Sequence, residues 1–300
     1  MGLNLIEEIK RLADITSRGG KVPPLYLYFV YILPGFVYSI NISHRVNFIP
    51  FILVSIAILP LIGATNLFDD LFDYGKGFDK TESPNTRYRR HPVFYYNLGK
   101  GYLIKWAVIF SVIYFLLIFL ISLRYGLLMN AIAIIGFLLG YGYTGPPFGY
   151  KYLGLGEAGV FLSTLAANGL ISIAVLGKFY LFSLLFFLPF SLLISLLLFV
   201  GNFRDREYDR NSGFTTLAVI LGKKNSVLFT TIIFALFYAS IVILYFLKIY
   251  GVFSLIDLTS APLAYYLSFS WTQKDSLRFE QYVGPYIFFM LFLLILLLIL

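Results

Sequence analysis

The sequence has 300 residues, of which 59% are hydrophobic and only 13% are Asp, Glu, Lys or Arg. A soluble domain carries roughly a quarter charged residues, so this chain lacks the polar side chains needed to cover a water-soluble globule. It contains no cysteine and two histidines. This excludes a disulfide scaffold and leaves little room for a histidine-based metal site or general base. The composition predicts an all-α protein embedded in a bilayer, and no nucleic acid partner is expected.

The N-terminal segment, residues 1–24, is polar and amphipathic and does not resemble a cleaved signal. Apolar residues recur in it at helical spacing, which predicts an interfacial helix that lies on the membrane surface. A short solvated helix before the first membrane span fits the same pattern. The residues that carry the spacing are Leu5, Ile6, Ile9, Leu12 and Ala13.

Long apolar stretches make up most of the remaining chain. A helix that crosses the apolar part of a bilayer needs about 20 residues. We therefore predict a single transmembrane domain that consists of a bundle of nine helices. They cover residues 25–43, 50–67, 103–122, 125–142, 156–176, 179–201, 227–249, 251–270 and 284–300.

The distribution of basic residues predicts the orientation of this bundle. If the N-terminus and the segments after spans two, four, six and eight lie on one side, that side holds 19 of the 23 Lys and Arg. Positive residues accumulate in the cytoplasm. We expect a multi-pass protein of the plasma (cytoplasmic) membrane with a cytoplasmic N-terminus.

Two polar connections, 66–101 and 202–225, are predicted to be cytoplasmic loops. Together they hold eight of the 15 acidic residues and 11 of the 23 basic ones. Both begin with carboxylates that continue directly from an apolar span. Ionisable groups at such a position are energetically expensive and usually functional.

Each of these connections starts with the pattern N-x-x-D-x-x-x-D-x-x-x-G. The first copy runs from Asn66 to Gly77 and the second from Asn202 to Gly213. The first follows span two and the second follows span six. The sequence therefore predicts an internal repeat of four helices.

The spacing within each motif predicts a metal site. Residues three, four and seven positions apart lie on one face of a helix, so each motif presents an Asn and two Asp together. Two acidic faces that meet in a bundle would repel each other unless a cation lay between them. Carboxylate oxygens favour Mg²⁺. The predicted metal ligands are Asp69, Asp70, Asp73, Asp205 and Asp209, with Asn66 and Asn202 beside them.

Basic side chains near both motifs suit a diphosphate, which they would bind through paired or point-charge contacts. The cluster at 87–90 also satisfies the bias of basic residues toward the cytoplasm, so a phosphate role for it stays open. The basic residues concerned are Lys76, Lys80, Arg87, Arg89, Arg90, Arg204, Arg206 and Arg210.

The motifs resemble those of the UbiA superfamily of intramembrane prenyltransferases. Residues 66–79 are similar to its first aspartate-rich motif and residues 202–222 to its second. Residues 143–157, with Tyr-Thr-Gly and Gly-Leu-Gly-Glu, resemble a segment of the menaquinone branch, the 1,4-dihydroxy-2-naphthoate prenyltransferases. The first motif departs from this branch at Asp69, where the family carries Asn. The extra carboxylate either tightens metal binding or stays protonated.

The resemblance implies an enzyme that transfers alkyl groups other than methyl. It would move an isoprenyl group from an isoprenyl diphosphate to an aromatic quinone precursor, with Mg²⁺ assisting the departure of the diphosphate and an allylic carbocation as the intermediate. The implied catalytic residues are Asp73, Asp205, Asp209, Asn66, Asn202 and Tyr143. Those implied to contact the diphosphate are Lys76, Arg87, Lys151, Arg204 and Arg206, and the site would face the cytoplasm.

Other functions remain open from the sequence. Within the superfamily the acceptor varies, and the alternatives include 4-hydroxybenzoate, homogentisate, a haem vinyl group and a glycerol-based ether lipid. A secondary transporter would also show repeats, but usually with charges inside its spans. Here Asp257 alone lies in or near a span, close to the outer side. The motif of the CDP-alcohol phosphotransferases is absent.

Overall fold

The computed structural model describes residues 5–16, 25–84, 86, 89–271 and 276–300, and within these ranges it contains helices and no strand. The all-α prediction is confirmed. Short 3-10 helices, Tyr150–Leu153 and Val252–Ser260, precede α6 and α9. The main helices are α1 (Leu5–Thr16), α2 (Leu25–Ser43), α3 (Phe48–Gly75), α4 (Lys100–Tyr125), α5 (Leu128–Gly142), α6 (Gly156–Leu176), α7 (Ser183–Asn211), α8 (Leu217–Phe246), α9 (Ala261–Trp271) and α10 (Ser276–Ile299).

The described helices identify an integral membrane protein. Seven helical segments are long and apolar enough to cross a bilayer. A helix also lies in each of the nine predicted stretches, although α5 has only 15 residues. Large apolar side chains such as Val112 and Leu123 on α4 are 60% and 63% exposed. A water-soluble surface rarely carries such apolar area, so lipid is the solvent of these faces.

Helix α3 continues beyond the predicted span 50–67 and carries the first motif almost to its end. The reason lies in the apolar residues between the aspartates. Leu67, Phe68 and Leu71 are buried against α4 at helical spacing. The helix therefore keeps a packed face while its other face carries the acids. Helix α7 likewise extends through the second motif to Asn211.

Both motif-bearing helices end in the same way. The Lys76 N–H donates to the Phe72 carbonyl at 2.9 Å, and the Ser212 N–H donates to the Tyr208 carbonyl at 2.9 Å. The glycine that follows each of them has φ near +75°, a conformation that favours glycine. These residues occupy equivalent positions in the two copies of the motif. The repeat is therefore visible in the backbone.

Two large apolar cores hold the bundle together, beside a smaller one between α1, α3 and α4. The first runs from α2 through α6 and contains Val54, Tyr114 and Ile171. The second joins α7, α8 and α10, with contributions from α2 and α9, and contains five phenylalanines of α7. Contacts between α6 and α7 and between α2 and α7 connect the two groups. This packing brings the ends of α3 and α7 together.

The N-terminal helix α1 packs against α3 and α4 near the first motif. Its Ile15 is buried in a core shared with α3 and α4. The Asn66 side chain donates to the Thr16 carbonyl at 2.7 Å, so this motif residue caps the end of α1. The apolar Ile6 and Ile9 are exposed on the opposite face of α1. An exposed apolar face accords with the predicted interfacial position.

Candidate functional site

One cleft brings the two motifs together. It lies between the ends of α3 and α7 and has a volume of about 310 Å³, part of which is open to solvent. Carboxylates from both motifs therefore face one opening, although the two motifs lie far apart in the chain. The residues that line the cleft are Asp73, Phe78, Asp79, Ser83, Pro84, Asp205, Tyr208, Asp209, Ser212 and Phe214.

Two equivalent phenylalanines of the repeat stack beside this cleft. Phe78 and Phe214 each follow the last glycine of a motif copy, and their ring centroids lie 4.8 Å apart at an interplanar angle of 24°. The Tyr152 ring lies 5.4 Å from each of them. The cleft thus combines carboxylates with aromatic faces, and aromatic faces attract cations.

Asp69 and Asp73 share a buried lysine. Lys151 Nζ donates to Asp69 Oδ1 at 2.7 Å and to Asp73 Oδ2 at 2.5 Å, and the Tyr152 hydroxyl donates to Asp73 Oδ1 at 2.8 Å. Burial alone would lower the pKa of Lys151, but the two carboxylates outweigh burial and hold its pKa well above the usual value. Lys151 is therefore an ammonium at neutral pH.

Lys151 belongs to a short turn that projects from the connection between α5 and α6. Gly149 and Gly154, with φ of +53° and +72°, flank this turn. The Lys151 ammonium lies 5.3 Å from the ring centroids of Tyr143 and Phe214. The structure therefore brings the predicted residues Tyr143 and Lys151 together with the first motif.

Asp70 is not among the described residues that line the cleft, and it has a different partner. Its carboxylate forms a bidentate ion pair with Arg89, in which Nη1 donates to Oδ2 at 2.9 Å and Nη2 donates to Oδ1. The Asp70 side chain is fully buried and that of Arg89 is 7% exposed. Of the basic cluster 87–90, Arg87 lies outside the described residues, and Arg90 is exposed.

Asp79 is paired with His91, a residue that the sequence did not single out. The Val93 N–H donates to His91 Nδ1 at 3.2 Å, which leaves the proton on Nε2. Nε2 lies 3.2 Å from Asp79 Oδ2 and donates to it. Burial raises the pKa of Asp79, but the His91 hydrogen bond and the nearby Lys151 and Arg89 together hold that pKa below its usual value.

The ion pairs of the second motif are more exposed than those of the first. Arg204 forms two hydrogen bonds to Asp205, at 2.7 and 2.6 Å, and also pairs with Glu280 on α10 at 2.5 Å. Arg206 pairs with the exposed Glu207 at 2.6 Å. Neither arginine is among the described residues that line the cleft. The structure therefore does not bring these two predicted diphosphate ligands to the cleft.

Asp209 differs from the other motif aspartates. It lines the cleft and is 8% exposed, and within the described part of the chain it forms no ion pair. Among the charges that surround it are Asp205, Lys151 and Asp73. Asp209 is thus a buried carboxylate that faces the cleft and could bind a cation there.

Two further predicted residues lie at the edges of the site. The Asn202 side chain donates to Glu157 Oε1 at 2.9 Å, and the Ser195 hydroxyl donates to the Glu157 carbonyl at 2.8 Å. Glu157 is buried and fixes Asn202, a role that no sequence pattern indicated. Lys76 is exposed, and its Nζ lies 3.4 Å from the Tyr152 ring centroid.

The donor set of the cleft fits a hard divalent cation. Asp73, Asp79, Asp205 and Asp209 offer carboxylate oxygens from both motifs at one opening. Mg²⁺ is typically bound through a few carboxylates together with substrate phosphates. The cleft is partly open to solvent.

Comparison with known proteins agrees with this geometry. The chain is 29% identical over 192 residues to the mouse UbiA prenyltransferase domain-containing protein 1, which covers 60% of this chain and 53% of that protein. It is 27% identical over 201 residues to the 1,4-dihydroxy-2-naphthoate octaprenyltransferase of Bacillus subtilis (strain 168), covering 66% of this chain and 63% of that enzyme. The chain thus spans between half and two thirds of the length of these relatives.

The fold is shared with solved structures. A UbiA homolog from Archaeoglobus fulgidus bound to DMAPP and Mg²⁺ superposes with a TM-score of 0.61 at 10% identity, covering 95% of this chain and 98% of that one. The model of the UbiA prenyltransferase family matches residues 28–296, nearly the whole chain. The chain therefore belongs to the UbiA prenyltransferase family.

Proposed function

We propose that this protein transfers an isoprenyl group from an isoprenyl diphosphate to an aromatic quinone precursor, with Mg²⁺ as cofactor. The single observation that carries the proposal is the convergence of both aspartate motifs on one cleft. The Bacillus subtilis relative is named for transfer to a dihydroxynaphthoate, which supports the aromatic acceptor. The Archaeoglobus fulgidus homolog bound to DMAPP and Mg²⁺ supports the donor and the metal.

The residues around the cleft would have different roles in this reaction. Asp73, Asp205 and Asp209 would hold Mg²⁺, which when bound neutralises the charge on the departing diphosphate. Lys76 lies exposed near the cleft and would contact the diphosphate. Asn202 would orient the second motif through Glu157.

The aromatic side chains would protect the positive charge that develops on the isoprenyl group. Phe78, Phe214 and Tyr152 lie in mutual contact next to the carboxylates. Their faces attract a carbocation, and their bulk keeps water away from it. Tyr143 lies behind Lys151 and would help to position its ammonium.

We further propose that the chain crosses the plasma membrane nine times, with its N-terminus and its cleft on the cytoplasmic side. The excess of Lys and Arg on that side supports the orientation. Residues 1–24 would lie in the membrane interface, and residues 1–300 would form one transmembrane domain.

Cysteine labelling tests this topology. Thr81→Cys and Asn211→Cys place a thiol on an exposed position in each motif connection, and the natural chain contains no cysteine. Both should react with a membrane-impermeant reagent only from the cytoplasmic side. Lys178→Cys, exposed at the opposite end of the bundle, is the matched control and should react only from outside. Labelling of the first two from outside would contradict the proposed orientation.

Direct assay tests the function. Purified full-length protein should convert radiolabelled isoprenyl diphosphates and a set of acceptors to prenylated product and free diphosphate in the presence of Mg²⁺. Removal of divalent metal with EDTA should abolish the product, and added Mg²⁺ should restore it. An ether-lipid product would redefine the acceptor. Uptake of substrate without release of diphosphate would identify a transporter instead.

The two carboxylates that share Lys151 should respond differently to substitution. Only Asp73 lines the cleft, whereas Asp69 lies behind it. We expect Asp69→Asn to lower kcat/KM by less than about tenfold, and Asp73→Asn to cause a clearly larger loss. Steady-state kinetics at saturating Mg²⁺ measures both. Equal losses would mean that both carboxylates hold the metal.

A further inference from the structure

The carboxylates of Asp69 and Asp73 already share a cation that belongs to the protein. Lys151 Nζ lies 2.7 Å from one carboxylate and 2.5 Å from the other, and all three side chains are at least nine-tenths buried. The ammonium therefore occupies an oxygen of Asp73, the carboxylate of this pair that lines the cleft. An ammonium and a divalent cation at the same oxygen repel each other, so they cannot occupy it together.

We propose that Lys151 is a resident counter-ion that keeps the first motif closed to metal until a diphosphate arrives. The inference rests on the proposed function. A metal ion that binds Asp73 in the cleft has to displace the ammonium from this carboxylate. The displaced ammonium then needs an anion, and a diphosphate provides one for its three donors. Metal and diphosphate therefore bind cooperatively, and each raises the affinity for the other by the same factor.

The surroundings of Lys151 give its side chain a route toward the cleft. The ammonium lies 5.3 Å from the rings of both Tyr143 and Phe214, and Phe214 is part of the cleft wall. An ammonium that passes along these aromatic faces stays in a favourable environment after leaving the carboxylates. The flexible four-carbon stem of lysine permits this movement while the backbone stays in place.

Metal binding without any substrate tests the proposal. Mn²⁺ serves as the probe, and its binding to the purified full-length protein is measured by electron paramagnetic resonance. Lys151→Met should bind Mn²⁺ about tenfold more tightly than the natural protein, because no cation has to leave. Lys100→Met is the matched control, since Lys100 is an exposed cation near the end of α3 that lies over the Tyr74 ring. Its Mn²⁺ affinity should stay close to that of the natural protein.

A second measurement covers the case in which Lys151→Met is unstable. Without the ammonium, two buried carboxylates face each other, so its thermal unfolding midpoint should fall in EDTA and recover on addition of Mg²⁺. The natural protein should respond less to Mg²⁺. The pair of variants Asp69→Asn and Asp69→Asn/Lys151→Met repeats the comparison with the carboxylate repulsion removed. The double variant should bind Mn²⁺ more tightly than Asp69→Asn alone.

Equal or weaker Mn²⁺ binding by Lys151→Met and by the double variant would overturn the proposal. Its failure is distinguishable from failure of the proposed function. If the natural protein transfers prenyl groups and Lys151→Met binds Mn²⁺ no more tightly than the natural protein does, the counter-ion role alone would be refuted. Tighter Mn²⁺ binding by Lys151→Met together with an absence of prenyl transfer by the natural protein would refute the proposed function and leave the counter-ion role intact.

Discussion

Asp209→Asn is expected to abolish prenyl transfer, with a fall in kcat/KM of at least about 100-fold, while the protein stays folded. Asp209 lies in the cleft, 8% exposed, and within the described residues it has no ion-pair partner. Its negative charge is therefore available to a cation. Asparagine keeps the size of the side chain but loses the charge, so metal binding should suffer directly.

The same substitution should leave stability unchanged or raise it. Burying a carboxylate without a partner costs free energy, and a neutral side chain removes that cost. Thermal unfolding in detergent, measured next to the kinetics, separates a loss of function from a loss of fold. An inactive protein that unfolds at the natural temperature or above is the expected result.

Glu207→Gln is the matched control for Asp209→Asn. Glu207 lies two residues earlier on α7, but its side chain is 64% exposed and pairs with the neighbouring arginines Arg206 and Arg210. An exposed ion pair contributes little, so activity should stay within about twofold of the natural protein. If Asp209→Asn retained more than a tenth of the activity, the metal would be held without the last carboxylate of the second motif.

Much of the fold could be predicted from hydropathy and spacing. The ends of the helices were harder to predict, because hydropathy indicates which residues are stable in lipid and not the residue at which a helix begins. The predicted span 227–249 starts after Lys223 and Lys224, whereas α8 begins at Leu217. The Thr216 side chain accepts a hydrogen bond from the Val219 N–H and starts the helix there. Gly222 interrupts the helical geometry with φ of +65° and ψ of −177°, and the exposed Lys224 lies on the part of α8 that follows this kink and continues into the membrane.

The two motifs could be recognised because they repeat, but the contacts that their residues make could not be predicted, although Lys151 itself was expected at the site. Lys151, His91 and Glu157 contact motif residues that lie 12 to 82 positions away in the chain. No local pattern links such residues, since contacts of this kind depend on how helices and connections pack. The sequence also indicated an undivided basic cluster at 87–90. Packing buries Arg89 on Asp70 and leaves Arg90 in solvent.

Because Arg89 is buried and Arg90 is exposed, substitutions of these two adjacent arginines should change stability by very different amounts. Removal of one partner from a buried ion pair leaves an uncompensated charge, which typically costs about 3–5 kcal/mol. Arg89→Met removes this bidentate partner from the fully buried carboxylate of Asp70. We therefore expect the free energy of unfolding to fall by about 3–5 kcal/mol. Arg90→Met removes the same charge from a side chain that is 57% exposed and lies 3.6 Å from Asp14, so it should change stability little.

A second substitution at Asp70 shows whether the lost stability comes from the stranded charge. Asp70→Asn/Arg89→Met contains neither charge, so it should unfold at a higher temperature than Arg89→Met alone. Thermal unfolding of the natural protein and all three variants in one detergent provides the comparison. If Arg89→Met and Arg90→Met unfolded alike, the Asp70–Arg89 pair would contribute no more than a surface contact. Recovery in the double variant would instead show that Arg89 is required because Asp70 is buried and charged beside the first motif.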